Sequence, residues 1–203
     1  MINTMNDKYF DLPSTKQDKM INAALSVFGC NDYKHSSTDE IVKRAGISKG
    51  LLFHYFTSKD GLYSYLLDYS VRYLLNEYNR IIGDEKEYFA FYEKMEMAKL
   101  NVLRNYPYMF EFIERSISEP SIDIREKSQA AINTYSEAMT AYRNRLVLPE
   151  LNSGLDMTHL DNIVSFTIQG LTAKQLASGN PDPDVLFEQI GNYMDIFKTM
   201  LAK

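Results

Sequence analysis

At 203 residues, with 45% hydrophobic and 24% charged side chains, the chain can bury a proper core and suits one small and one larger domain. Its formal charge of −5 is unevenly spread, with +1 over residues 1–60 and −6 over residues 61–203, so the acid sits away from the region read below as basic. No apolar run approaches the roughly 18 residues of a membrane span, the opening MINTMNDKYFDLPS lacks a leader pattern, and one cysteine, Cys30, excludes an internal disulfide; a soluble, cytoplasmic protein with Cys30 as a buried small thiol is expected.

Ser14 stands where an N-cap belongs, with Gln17 three residues on, and Met20, Ile21, Ala24, Leu25 and Phe28 make the apolar stripe of a first helix that Gly29 ends. The run Ser37 to Leu62 then writes two short helices, the turn between them and a third helix start. Ser37 and Glu40 form a capping box, Ile41, Val42 and Ala45 the apolar face, and Gly46 supplies the positive φ that stops the helix. Ser48 caps the next helix, whose early Gly50 costs about 1 kcal/mol relative to alanine and so suggests close approach to something outside.

Two helices joined by a short glycine turn are the arrangement that lays a second helix in the major groove with its N-terminal residues over base edges. Here those residues are Ser48, Lys49, Gly50 and Leu51, with Ser58 and Lys59 offering a second helix end to phosphate. Residues 34–59 hold five basic side chains (Lys34, Lys43, Arg44, Lys49, Lys59) against two acidic ones (Asp39, Glu40), and local charge sets a DNA footprint. The plainer alternative is a compact three-helix module with solvated lysines.

Phe28, Tyr33, Thr38, Ile41, Ala45, Gly46, Ser48, Lys49, Gly50, Tyr55, Phe56, Lys59 and Leu62 together resemble the N-terminal domain of TetR-family transcriptional regulators, with AGISKG, HYF and KDGL in the family's places. The resemblance covers about the first third of the chain. It implies that Thr38, Lys49, Tyr55 and Lys59 grip phosphates, that Gly50 and Leu51 approach base edges, and that His54 lies near the backbone or a base. Two positions depart from the family pattern: Asp32 replaces the usual glycine before Tyr33, and Gly61 replaces an acidic residue, and both are expected to loosen local helix ends.

Beyond Ser58 a connector helix is expected to about Ile82, then five more near 85–104, 107–118, 121–147, 156–178 and 183–202, punctuated by Pro107, Pro120, Pro149 and Pro183. Asp182 caps the last of them, with Pro183 at its first position. No strand pattern or repeat is present, so the fold is all-α with about nine helices: a DNA-binding domain at 1–60 and a ligand-binding and dimerisation domain at 61–203.

Aromatic and methionine stripes usually mean core, yet the many tyrosines suit a cavity wall dotted with polar groups. Phe91, Tyr92, Met95, Met109, Phe112, Tyr135, Met139, Tyr142 and Phe166 are the candidate pocket residues. The resemblance implies a small-molecule pocket among the middle helices but carries over no residue of it. Ile163, Ile168, Leu171, Ile190, Met194 and Phe197 on the last two helices are the candidate dimer interface, and a two-fold protein suits a palindromic operator.

Catalysis is not expected. The histidines His35, His54 and His159 are dispersed, no HExxH, CxxC or Walker pattern occurs, and the pairs Glu93/Glu96 and Glu111/Glu114 lack the Glu-x-x-His of a di-iron bundle. No metal and no cofactor is expected. The function expected is a ligand-responsive regulator, a repressor released from duplex DNA by an apolar or amphipathic effector; the alternative is a DNA binder with no such effector, protein-regulated or architectural.

Overall fold

The computed structural model describes residues 6–178 and 182–203. Among them lie nine α-helices and no strand: α1 Ser14–Phe28, α2 Thr38–Ala45, α3 Lys49–Phe56, α4 Lys59–Ile82, α5 Tyr88–Asn105, α6 Met109–Ile117, α7 Ile122–Asn144, α8 Met157–Ala177 and α9 Pro183–Leu201. A 3-10 turn at Asp7–Tyr9 precedes them. No described helix is long and apolar enough to cross a membrane.

Packing divides the chain into two compact units. One joins the residues up to Asn76 with Val102–Met139, and the other joins Glu77–Asn101 with Thr140–Lys203. The unit that holds the helix-turn-helix is thus larger than residues 1–60. α4 runs unbroken through Asp60, and α6 packs on α1.

In the first unit the core forms because α1, α4 and α6 each turn an aromatic stripe inward. Phe28 meets Tyr63 edge-on at 5.0 Å, and Phe112 of α6 lies 5.1 Å from Tyr63 and 6.0 Å from Phe28. All three are at most 2% exposed, so each contributes about 1.5–3 kcal/mol of burial, with edge-to-face geometry adding to it. Gly29 makes the α1–α6 contact possible. A Cβ there would lie 2.8 Å from the Leu25 carbonyl oxygen and 3.2 Å from that of Tyr108, so only glycine lets the two backbones meet.

The second unit contains α8 against α9, with Leu160, Val164, Leu186, Ile190 and Met194 buried in it. Tyr88 donates to Asp161 at 2.6 Å, tying α5 to α8, and Arg143 of α7 pairs with the same carboxylate. Residues 145–155 are pinned by backbone pairing at both ends, Val147 N–H to the Lys86 carbonyl at 2.7 Å and Asn152 N–H to that of Leu201 at 3.0 Å.

Several helix ends differ from the sequence expectation, for local reasons. Pro13, not Ser14, is the N-cap of α1, and no side chain caps it; Gln17 turns back to the Leu12 carbonyl at 2.8 Å instead. The Ser37 capping box is half formed, since Ser37 accepts from Glu40 N–H at 3.4 Å while the Glu40 carboxylate pairs with Arg44. α5 starts at Tyr88 because Glu85 and Glu87 spend their carboxylates on backbone N–H groups of residues 86, 87 and 90. α7 stops at Asn144 because Val147 is taken into the pairing with Lys86.

Candidate nucleic-acid interface

α2 and α3 are set by their ends. Gly46 adopts φ 68°, its N–H and that of Ile47 turn back to the last carbonyls of α2, and the chain reverses in two residues. Ser48 then accepts from Leu51 N–H at 3.1 Å and starts α3. Arg44 fastens α2 to α1 by donating to Ser26 Oγ at 2.8 Å.

The free face of α3 begins with Ser48, Lys49, Gly50 and Leu51, all exposed, and continues through His54, also exposed. A Cβ on Gly50 would meet nothing within 4 Å, so nothing inside the chain requires glycine there. Thr38, half-buried, opens α2 on the adjoining surface. Lys49 Nζ lies 2.9 Å from an Asp39 carboxylate oxygen, with half or more of each side chain in solvent, a pairing worth at most about 1 kcal/mol that phosphate would displace.

Two residues expected to grip phosphate are engaged by the chain itself. Tyr55 is 7% exposed, with its ring 5.8 Å from Tyr9, because the last turn of α3 faces the core. Lys59 donates to the Tyr33 carbonyl and sits 4.2 Å above the Tyr33 ring, and burial lowers its pKa.

The two departures from the family pattern have local partners. Asp32 accepts from His35 N–H at 2.8 Å and from its ring at 2.7 Å, contacts that hold the Asp32 carboxyl below its usual value. Gly61, buried, donates to Ser58 Oγ at 3.0 Å, so α4 has its cap.

A clamp around Tyr33 escaped sequence reasoning. Its N–H donates to Glu119 at 3.0 Å, and its hydroxyl donates to Asp60, which also holds Lys127 of α7. The Lys127 contact and then the Tyr33 hydroxyl lower the Asp60 pKa; burial and the neighbouring carboxylate raise that of Tyr33. Arg115 donates to the Gly29 carbonyl at 2.8 Å. These partners lie up to 86 positions apart, with no periodicity to announce them. Beside them Gly29, Glu111, Glu114, Arg115 and Ser118 line an open cleft of about 390 Å³, where burial raises the Glu111 pKa. Cys30, at the same corner, is exposed rather than buried, because α1 has already ended.

The candidate pocket residues belong to both units. Phe91, Tyr92, Met95, Tyr142 and Phe166 fall in the second unit and Met109, Phe112, Tyr135 and Met139 in the first. Phe91 lies 5.9 Å from Tyr142 and 5.4 Å from Tyr92. Phe112 and Met109 are fully buried, with Phe112 filling the space between α1 and α4. Tyr135 and Met139 are half-buried, and Phe166 is 67% exposed on α8. Of the candidate interface, Ile190 and Met194 are buried in their own chain, while Ile163, Ile168, Leu171 and Phe197 are half-buried. Among the described residues, the large apolar side chains left exposed on these helices are Phe166, Val185, Tyr193, Ile196 and Met200.

Gly46 to Gly50 also spells GxSxG, the spacing of a hydrolase nucleophile elbow, which needs a strand before the serine. Here α2 precedes it, and the Ser48 hydroxyl is spent capping α3. Among the described residues no group of three His, Cys, Asp or Glu side chains is placed to hold a metal.

A glycine-turned helix pair with an exposed second helix, braced by α1, is the geometry of a helix-turn-helix domain. Residues 20–66 match the model of bacterial regulatory proteins of the tetR family. The N-terminal part of the chain is thus similar to that of TetR-family transcriptional regulators, and the chain as a whole shares their fold. Similar solved structures include a TetR-family regulator from Chloroflexus aurantiacus, 15% identical over 98% of this chain and 99% of that one, with a TM-score of 0.59. The regulator FadR from Bacillus subtilis, solved with stearoyl-CoA, is 15% identical over 87% and 96%, with a TM-score of 0.55. PfmR from Thermus thermophilus is 17% identical over 88% and 96%, with a TM-score of 0.54. At these identities the likeness is one of fold. Comparison with curated proteins finds no match.

Proposed function

We propose that this protein is a homodimeric repressor that binds a palindromic operator through α3 and is released by a small apolar or amphipathic effector. The observation that carries the DNA-binding reading is Gly50, exposed on α3 with no internal reason for lacking a side chain. Ser48, Lys49, Gly50, Leu51 and His54 meet the groove, and Thr38 with Lys49 meets phosphate. Tyr55 and Lys59 serve it through edges not consumed by Tyr9 and Tyr33. No catalysis is assigned, and the setting is cytoplasmic.

The dimer uses the apolar side chains exposed on α8 and α9, Phe166, Tyr193, Ile196 and Met200, with Ile163, Leu171 and Phe197 at their flanks. Residues 1–60 carry the DNA contacts, and residues 61–203 carry effector and dimer contacts. The effector reading draws on the fold likeness to a FadR solved with stearoyl-CoA and on the Phe91, Tyr92 and Tyr142 cluster. An effector that favours a different pose of α4 lowers DNA affinity by its differential affinity for the two poses.

The DNA reading is tested by titrating purified protein into duplex DNA over a salt series. Lys49→Ala should weaken binding to all sequences and reduce the slope of log affinity against log salt by about 1. An unchanged slope removes Lys49 from the contact.

A further inference from the structure

The residues ahead of α1 are outside the 20–66 family match, yet they reach the far end of the helix that enters the groove. Asn6 N–H donates to the Tyr55 carbonyl at 2.8 Å. Three residues on, Tyr9 is fully buried, its ring 5.8 Å from Tyr55, 5.0 Å from Phe56 and 5.6 Å from Tyr65. One side chain therefore touches the last turn of α3 and the second turn of α4 at once.

The junction it covers is the one place among the described residues where a side chain other than glycine takes a positive φ. Thr57 has φ 54° and ψ −42°, and Ser58 N–H reaches the Phe56 carbonyl at 2.5 Å, a γ-turn of the strained hand. A β-branched residue resists that conformation, so the surrounding packing must impose it. Phe56 and Tyr65, on either side of the turn, are rings that Tyr9 touches.

We propose that Asn6 and Tyr9 set the pose of α3 relative to α4, making Tyr9 a positioning residue for DNA binding that itself touches no DNA. This rests on the reading of α3 as the recognition helix. The hydroxyl reaches the Gln17 carbonyl at 3.4 Å and also bonds to Tyr65, whose ring Tyr9 already contacts, so the ring contacts carry the role.

The test uses the full chain and an end-labelled duplex enriched by the wild-type protein from a randomised pool, at a temperature where circular dichroism reports every variant folded. Tyr9→Phe should bind within about twofold of wild type, while Tyr9→Leu, which keeps bulk without the ring contacts, should lose about tenfold or more because pose errors near 1 Å are enough to spoil a fitted site. Amides of Leu52–Phe56 should exchange about tenfold faster in Tyr9→Leu while those of Ile41–Ala45 stay unchanged, a local opening and not a global one. Unchanged affinity with unchanged α3 exchange overturns the inference. So does faster exchange of both helices together, which makes Tyr9 ordinary core. If wild type enriches no duplex, the DNA-binding reading fails by itself, and the exchange pattern alone decides whether Tyr9 holds α3.

Discussion

The buried carboxylate of Glu119, between α6 and α7, accepts the backbone N–H of Tyr33 at 3.0 Å and that of Ser121 at 3.1 Å. One side chain thereby closes both the corner before α2 and the loop before α7. Glu119→Ala leaves two N–H groups without their acceptor, and each such loss costs about 1–3 kcal/mol when buried. A lowered thermal midpoint is expected, with Glu119→Gln recovering part of it. A midpoint unchanged in the alanine variant would show the carboxylate to be idle.

Gly50→Ala should move stability and binding in opposite directions. Alanine favours an exposed helix position by about 1 kcal/mol, and no neighbour obstructs it, so the thermal midpoint rises. On the proposed reading, duplex DNA packed against that face would leave no room for a methyl group, so affinity should fall. Anisotropy titration beside thermal denaturation reads both, and an alanine variant that binds as wild type would take α3's first turn off the DNA.

Lys94 at 2.8 Å, with the N–H groups of Glu87 and Lys86, lowers the Glu85 carboxyl from 4.5 to about 2. Because the folded value is depressed, the contribution is fully present above 4.5, declines as pH falls below it and is gone near pH 2. Urea midpoints of wild type and Glu85→Gln should therefore differ at neutral pH and converge on acidification. A gap that does not depend on pH contradicts this assignment.

Ile196 is 46% exposed on α9, near Tyr193 and Met200. Ile196→Glu places a charge in the proposed dimer face, and a buried unpaired charge costs several kcal/mol, enough to dissociate a dimer. Sedimentation equilibrium should report a monomer of unchanged helix content. A dimer that persists moves the interface elsewhere.

The helices were legible because their signals are local. Gly46, Ser48 and Asp182 act on backbone groups within a few residues, and all three act in the structure as their spacing implies. The exposed start of α3 was legible for the same reason. Tyr33 with Glu119, Asp60 with Lys127 and Tyr9 with Phe56 were not, since each pair joins distant positions whose side chains have no period in common. The last two helices show the limit of apolar patterning. Ile190 and Phe166 are both apolar on amphipathic helices, yet one is buried in its own chain and the other is left in solvent. Only packing separates core from interface.

The central claim is tested most directly by selecting duplex DNA from a randomised pool with the purified protein at near-physiological salt. A two-fold motif with half-sites about one helical turn apart, roughly 34–36 Å, is the predicted result for a dimeric operator-binding regulator. No enriched motif, with binding that vanishes as salt rises, would contradict it and leave only a non-specific electrostatic contact.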